Sequence, residues 1–291
     1  MTFRSVLRSV TPPIVVTGWR RSRERLAGGA GQPEWEYVPD GWAGGRTVAR
    51  GGGWDSPTIP AAYRAKLASY RAVVDGTRPL AVSTSPSALG HAESVGEQNT
   101  LLAFAYALTL ASRDRDTVSV LDWGGGIGLY ALLARAFLPD GVHVEYHVRD
   151  VPCVCAVGRA ALPEVHFHED DTGLDRTFDL VVASSSIQYE PDWKALVARL
   201  AHAAARYLFL TRVPVVFASP AFVVVQRPRQ WPGVEYPSWV FNREELVECA
   251  CDHGMTLRRE YLLAYRPVVV GAPEQQETRG FLFAPAPARG G

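Results

Sequence analysis

The chain has 291 residues, of which 30 are basic and 30 acidic, so its formal charge is zero. That balance disfavours a nucleic acid or an anionic membrane surface as partner, and no apolar run approaches the ~20 residues that span a bilayer. Four cysteines without a dense framework suit a reducing cytoplasm, and the length suits one large α/β domain with a cap or two small domains. The N-terminus is basic, but Pro12 and Pro13 interrupt its apolar stretch. No signal peptide is therefore expected, and the location expected is cytoplasmic.

Residues 1–60 are broken by Gly28-Gly-Ala-Gly31, Gly44-Gly45 and Gly51-Gly-Gly53 and show little periodicity. Trp35, Tyr37, Trp42 and Trp54 favour packing somewhere, so this segment reads as a poorly ordered arm or as loops wrapped on a sheet domain. Residues 59–74 read as a helix with Tyr63, Leu67, Tyr70 and Val74 on one face. A loop over 83–96 leads to a second helix over 97–112. Together 1–112 form the expected N-terminal arm and helical cap.

The strongest signal follows. Val118-Ser-Val-Leu-Asp-Trp-Gly-Gly-Gly-Ile-Gly-Leu-Tyr130 reads as a buried strand, a glycine turn and a helix over 127–137. Such a helix start offers free N–H groups and a positive dipole end to a nucleotide. The glycine spacing separates the two main nucleotide classes. A dinucleotide fold wants G-x-G-x-x-G; here the pattern is Gly124-x-Gly126-x-Gly128, with Asp122 two residues earlier. An acid there would repel a pyrophosphate but could accept a hydrogen bond from an ammonium group. A ligand with an adenosine end and an amino-acid end fits, namely S-adenosylmethionine. The D-x-G-x-G-x-G arrangement resembles the first motif of the Rossmann-like methyltransferases. Gly124, Gly125 and Gly126 join Asp122 as expected cofactor contacts.

A second strand over 142–148 ends at Asp150. An acid at that tip, about 20 residues after the glycines, can grip a ribose diol; it can equally cap the helix that Val151-Pro152 begins. A third strand over 165–168 runs into Glu169-Asp170-Asp171. Asp170 or Asp171 could meet the exocyclic amine of adenine, or form a solvated acidic turn. A fourth strand over 178–183 ends in Ser184-Ser-Ser-Ile-Gln-Tyr189, which places Ser184 and Ser185 where open α/β sheets bind ligands. A helix over 193–205 and a fifth strand over 206–210 follow. Residues 212–241 read as a substrate-side insertion holding five prolines and two tryptophans. Asn242, with Glu245 at capping-box spacing, starts a helix that Gly254 ends. Strands over 256–264 and 280–283 close the sheet, and 285–291 reads as a frayed tail. The cofactor-binding domain is thus expected over 113–284.

Asp122-Trp-Gly-Gly-Gly-Ile-Gly128, Tyr146-His-Val-Arg-Asp-Val-Pro152, Ser184-Ser-Ser-Ile-Gln-Tyr189, Thr211-Arg-Val-Pro214, Val224-Val-Gln226 and Tyr236-Pro-Ser-Trp-Val-Phe241 together resemble a bacterial methyltransferase family known chiefly from genome sequences. The resemblance covers about 35–283, with one departure: the family usually carries Glu where Asp150 stands. It implies a class I, Rossmann-like seven-stranded sheet, mostly parallel with the last strand antiparallel, and helices on both faces. It also implies S-adenosylmethionine binding and methyl transfer, without fixing a substrate. A small-molecule acceptor, methylated on O or N in specialised biosynthesis, is the reading adopted. Two alternatives stay open: a non-methylating enzyme that uses the same cofactor, and a non-catalytic partner protein that binds it. Oligomeric state is not readable.

The acceptor side carries weaker signals. His91, in the Gly90-His-Ala-Glu93 loop, His253 or Tyr189 could serve as a base. Arg212, after the fifth strand, could bind an acceptor carboxylate or simply tie the insertion down by a salt bridge. Tyr236, Trp239 and Phe241 could line an apolar pocket or pack the insertion. No metal is expected. Cys153-x-Cys155 and Cys249-x-Cys251 fall on helices, where i and i+2 point apart, and lack zinc spacing. His143 with His147, and His166 with His168, share strand faces but read as solvated or packed.

Overall fold

The computed structural model describes residues 32–56, 58–80, 95–229, 231 and 233–287. Contacts divide the chain into Met1–Pro33 and Glu34–Gly291, and the fold belongs to the second unit. It begins with β1 (Trp35–Val38), α1 (Gly41–Val48), α2 (Thr58–Val74) and α3 (Val95–Ser112). Then strands and helices alternate: β2 (Thr117–Trp123), α4 (Leu129–Phe137), β3 (His143–Arg149), α5 (Pro152–Ala161), β4 (His166–His168), β5 (Phe178–Ser184), α6 (Trp193–Ala203) and β6 (Ala204–Val216). Last come β7 (Phe222–Gln226), β8 (Tyr236–Asn242), α7 (Arg243–Asp252), β9 (Met255–Leu262) and β10 (Glu277–Pro285).

The central sheet runs β4-β3-β2-β5-β6-β10-β9. Its strands are parallel except β10, which is antiparallel to both neighbours. The resemblance implies seven strands, and these seven have the expected mostly parallel order, but the whole sheet has ten. Two-sided burial follows from the period of two along each strand. Val118, Val120, Leu180, Val182, Phe209 and Leu282 face α2, α3, α4 and α5. Leu121, Trp123, Val181, Ala183, Leu208, Leu210, Phe281 and Phe283 face α6 and α7.

The stretch over 212–241, read as a substrate-side insertion, holds the end of β6 and the strands β7 and β8. β6 outlasts β5, whose last pair is Ser184 with Thr211, and its free edge is taken by β8 through Val215–Phe241 and Val216–Asn242. β7 pairs with β8, and β1 with β7, all antiparallel, which extends the sheet beyond the carboxyl end of β5. The prolines hid this: Pro237 lies inside β8 opposite Val225, a position where proline ordinarily argues against a strand. The loops around β1 thus pack as an added strand. Asn242 accepts from the N–H groups of Glu244 and Glu245, capping α7 as its sequence predicts. β10 runs on to Pro285, and Ala286 donates to the Gly254 carbonyl, so the ordered chain extends past 284.

Candidate active site

The carboxyl ends of β2, β3, β4, β5 and β6 point to one edge, and the glycine loop leaves β2 there. Gly124, Gly126 and Gly128 all have left-handed backbone, φ +73°, +62° and +85°, which only glycine adopts readily. This delays the helix by two residues relative to the sequence reading, because left-handed Gly128 serves as its N-cap. Gly125 is small for another reason: a Cβ there would lie 2.5 Å from the Asp122 carboxyl carbon. The loop is laced to β3 by the Gly124 N–H on the Arg149 carbonyl and the Gly126 N–H on Asp150 Oδ2, each 2.7 Å.

Asp122 lies wholly buried beneath this loop. The Tyr146 hydroxyl donates to its Oδ2 at 3.1 Å, whereas Oδ1 has no hydrogen-bond partner among the described residues. Burial pushes its carboxyl up to about 7; the Tyr146 bond opposes the rise and the charge of Asp150 adds to it. A buried carboxylate oxygen without a donor is costly unless a ligand supplies one.

Asp150 uses one oxygen on the Gly126 N–H and the other on the Val151 N–H, each 2.7 Å. It is therefore a clamp between the glycine loop and the start of α5. It does not itself cap that helix in the ordinary way, since Val151 occupies the cap position. Replacing Asp150 by Ala is expected to weaken binding of S-adenosylhomocysteine about 10–100-fold, as charge-assisted hydrogen bonds contribute roughly 1.5–3 kcal/mol each. It should also lower the melting temperature, because the clamp is lost. Calorimetry and thermal melting of one variant read both; normal affinity with earlier melting would leave only the structural role.

The two acids after β4 separate. Asp170 accepts from the Thr172 N–H and hydroxyl and remains exposed. Asp171 is engaged by Arg149 at 2.7 Å and Arg199 at 2.6 Å, and Arg149 also lies over the Trp123 ring. The Asp171 carboxylate is thus a structural bridge, which leaves Asp170 as the acid of this pair with an open side.

Ser184 shares a 3.0 Å hydrogen bond with the Tyr130 hydroxyl. Ser185 accepts from the Gln188 amide at 3.0 Å, and its own N–H bonds the Thr211 carbonyl at 2.9 Å. That bond sets Ser185 beside Arg212. Both have left-handed backbone, φ +54° and +57°, although neither is glycine. Such strain collects where side chains are held for function. Half-buried Arg212 has no ion-pair partner among the described residues, and its charge favours the ionised forms of Tyr63, Tyr130, Tyr189 and Tyr265. These come from α2, α4, the turn after β5 and the segment after β9; burial raises all four phenols, and the charge of Arg212 opposes that rise.

Sequence reasoning missed several of these groups. Tyr63 reaches from α2 to the glycine loop: a Cβ on Gly126 would lie 3.3 Å from its hydroxyl. Its helix-face position shows burial but not what it covers. Ser186 donates to the Trp123 carbonyl at 2.7 Å and fills the space beside Gly124. Gln188 is buried with its Oε1 unpartnered among the described residues. Both sit in the Ser184-Ser-Ser-Ile-Gln-Tyr189 segment, the signal that could have found them. Tyr189 meets Trp54 at a tilt and Tyr236 edge-on, and its hydroxyl donates to Gln226 Oε1 at 3.2 Å. Burial raises its phenol, with hydrogen bonds from Ser185 opposing, so Tyr189 stays protonated at neutral pH and suits hydrogen-bond donation better than the role of base. His253 is exposed where α7 leads into β9, at the opposite edge of the sheet, and is not part of the site. His91 lies outside the described residues. Trp239 stacks on Trp42 against the added strands, whereas Phe241 packs edge-on to Trp193 in the core beneath α6 and α7.

The family described as "Methyltransferase domain" matches residues 96–259. The chain belongs to it, and with this sheet order and glycine loop it is a Rossmann-like, S-adenosylmethionine-dependent methyltransferase. Among curated proteins, none matches the chain. It is similar in structure to magnesium protoporphyrin IX methyltransferase from Synechocystis PCC 6803 with bound S-adenosylhomocysteine, at 16% identity over 79% of this chain and 100% of that one, TM-score 0.46. It is similar also to an amino pentose methyltransferase from Micromonospora echinaspora involved in calicheamicin biosynthesis, at 19% identity over 64% and 90%, TM-score 0.41. A third is 1,6-didemethyltoxoflavin-N1-methyltransferase from Burkholderia thailandensis, at 15% identity over 65% and 79%, TM-score 0.40. Among the described residues no helix is long and apolar enough to cross a membrane.

Proposed function

We propose that the chain methylates a small polar or anionic acceptor, on O or N, as a cytoplasmic step of small-molecule biosynthesis. The cofactor fits the residues present. Asp122 holds a buried oxygen in need of a donor, which an ammonium group supplies, and the glycine loop offers backbone without side chains. Asp150 and Asp170 stand at the next two strand ends for the ribose and adenine. When bound, S-adenosylmethionine supplies a methyl group on an activated sulfonium. The chain's own task is then to hold the acceptor in line and exclude water.

The observation that carries the acceptor reading is Arg212. It is held in left-handed backbone beside Ser185, without an ion-pair partner among the described residues, and its charge reaches the phenols of Tyr63, Tyr130, Tyr189 and Tyr265. The rings of Trp54, Tyr189 and Tyr236 pack on one another with centroids 4.8–5.2 Å apart, and the charge of Arg212 reaches Tyr189. Such a compact, aromatic, singly cationic surface suits a small acceptor with a carboxylate or similar oxygen anion.

Extracts incubated with methyl-labelled S-adenosylmethionine should yield a labelled small molecule with a methyl mass shift. With that acceptor in hand, Arg212→Lys is expected to lose turnover about tenfold or more while keeping affinity for S-adenosylhomocysteine, since lysine cannot reproduce a planar two-pronged contact. Loss of both, or of neither, removes Arg212 from the acceptor side. Label appearing only in protein or nucleic acid would overturn the small-molecule reading.

A further inference from the structure

We infer that Glu145, His147 and His166 form a binding site for a divalent transition-metal ion of the zinc class, joining β3 to the edge strand β4. The sequence shows these histidines only as pairs along separate strands. The parallel register sets His147 opposite His166, and Glu145 lies two residues before His147 on the same face. One ligand atom from each of the three falls within 4.8 Å of the others. Around a tetrahedral zinc, ligand atoms sit about 3.4 Å apart for bonds of 2.0–2.2 Å. His166 is the exposed member of the three, whereas His147 is buried. Two imidazoles and one carboxylate leave a further position for water, the donor set of an open site.

The surroundings prepare the ligands. His147 Nε2 and Glu145 Oε1 share a hydrogen bond of 2.8 Å, which a metal ion would replace. Its other nitrogen, Nδ1, is 2.9 Å from His168 Nε2. A metal on Nε2 requires the proton on Nδ1, and His168 stands ready to accept that hydrogen bond, as outer partners of metal-bound histidines do. The rings of His166 and His168 stack on His147 with centroids at 4.6 and 5.2 Å, which fixes its plane. Arg176 is the competitor: it donates to the same Glu145 oxygen at 3.1 Å and lies over the Phe178 ring. It is half exposed and can swing away. An ion here would pin a strand of only three residues, whose His168 carbonyl receives the Asp150 N–H.

The test uses the full chain, stripped with a chelator and titrated with zinc(II) and cobalt(II). Calorimetry should give one equivalent bound, and zinc should raise the melting temperature. Because loss of an outer partner alone costs about 10–100-fold, His166→Ala, a surface change, should weaken binding by at least about tenfold. It should also abolish the thermal shift while leaving affinity for S-adenosylhomocysteine intact. Arg176→Ala should bind more tightly. Cys153→Ser with Cys251→Ser should change nothing, and the cobalt spectrum should lack a thiolate charge-transfer band. No binding by the native chain, unchanged affinity in His166→Ala, or loss of binding in the cysteine variant would overturn the site.

Discussion

Replacing Asp122 by Asn is expected to stabilise the ligand-free protein at pH 8 and to cripple its cofactor binding. The Asp122 carboxyl is raised from 3.8 to about 7, chiefly by burial. A folded-state value above the unfolded one means that the folded state holds its proton more tightly. The resulting stability is fully present below pH ~4 and is lost as pH rises through about 7. A shift of some three units corresponds to roughly 4 kcal/mol. Asn carries no charge at any pH, so the variant escapes this loss. For a domain of this size the difference at pH 8 is on the order of 10 °C in melting temperature.

Binding should move the other way. The ionised carboxylate is the form that accepts from an ammonium group, so native affinity for S-adenosylhomocysteine should fall as pH drops below about 7. The Asn variant should bind about 10–100-fold more weakly with a flat profile, given ~1.5–3 kcal/mol for a charged hydrogen bond. Calorimetry from pH 5.5 to 8.5 on both proteins, beside melting curves, checks the pair of trends. Equal affinities with parallel pH profiles would mean that Asp122 supports the loop and does not meet the ligand.

Gly126→Val should abolish cofactor binding in a protein that still folds. Residue 126 has φ +62°, and a Cβ there would lie 3.3 Å from the Tyr63 hydroxyl. A branched side chain in that backbone region costs about 1–3 kcal/mol, which a domain with ~5–15 kcal/mol of stability survives. To relieve the strain the loop must turn, and turning it removes the Gly126 N–H from Asp150. Affinity for S-adenosylhomocysteine should fall more than about 100-fold, with far-UV circular dichroism unchanged. Gly126→Ala combined with Tyr63→Phe should bind better than Gly126→Ala alone, since the nearest obstructing atom is gone. Unimpaired binding in a folded Gly126→Val protein would place the loop away from the ligand.

The histidines show where sequence reading reaches its limit. His143, His147, His166 and His168 were visible as residues on two strands, yet alternation within one strand says nothing of the offset between two. Only the pairing of His147 with His166 brings Glu145, His147 and His166 together. Arg212 is the same case. The sequence set it just after the fifth strand, whereas it lies inside β6; its left-handed backbone, and the tyrosines of α2, α4 and two loops that its charge reaches, were not readable. Asp170 and Asp171 looked equivalent as neighbours, and the folded chain divides them by giving Asp171 to Arg149 and Arg199.

What the amino-acid order determined by itself is local. Strand periodicity, the glycine spacing of 124, 126 and 128, the acid at 122 and the Asn242 cap each act within a few residues, so their physics is complete in a short window. The sheet core and the nature of the cofactor follow from them. Tertiary structure alone decided the rest: β8 on the overhanging edge of β6, β1 beside β7, and Tyr63 over the glycine loop. Those contacts join residues tens to nearly two hundred positions apart. No local preference encodes them; they form because an unpaired strand edge or an apolar face must be covered, and the folded chain selects which segment covers it.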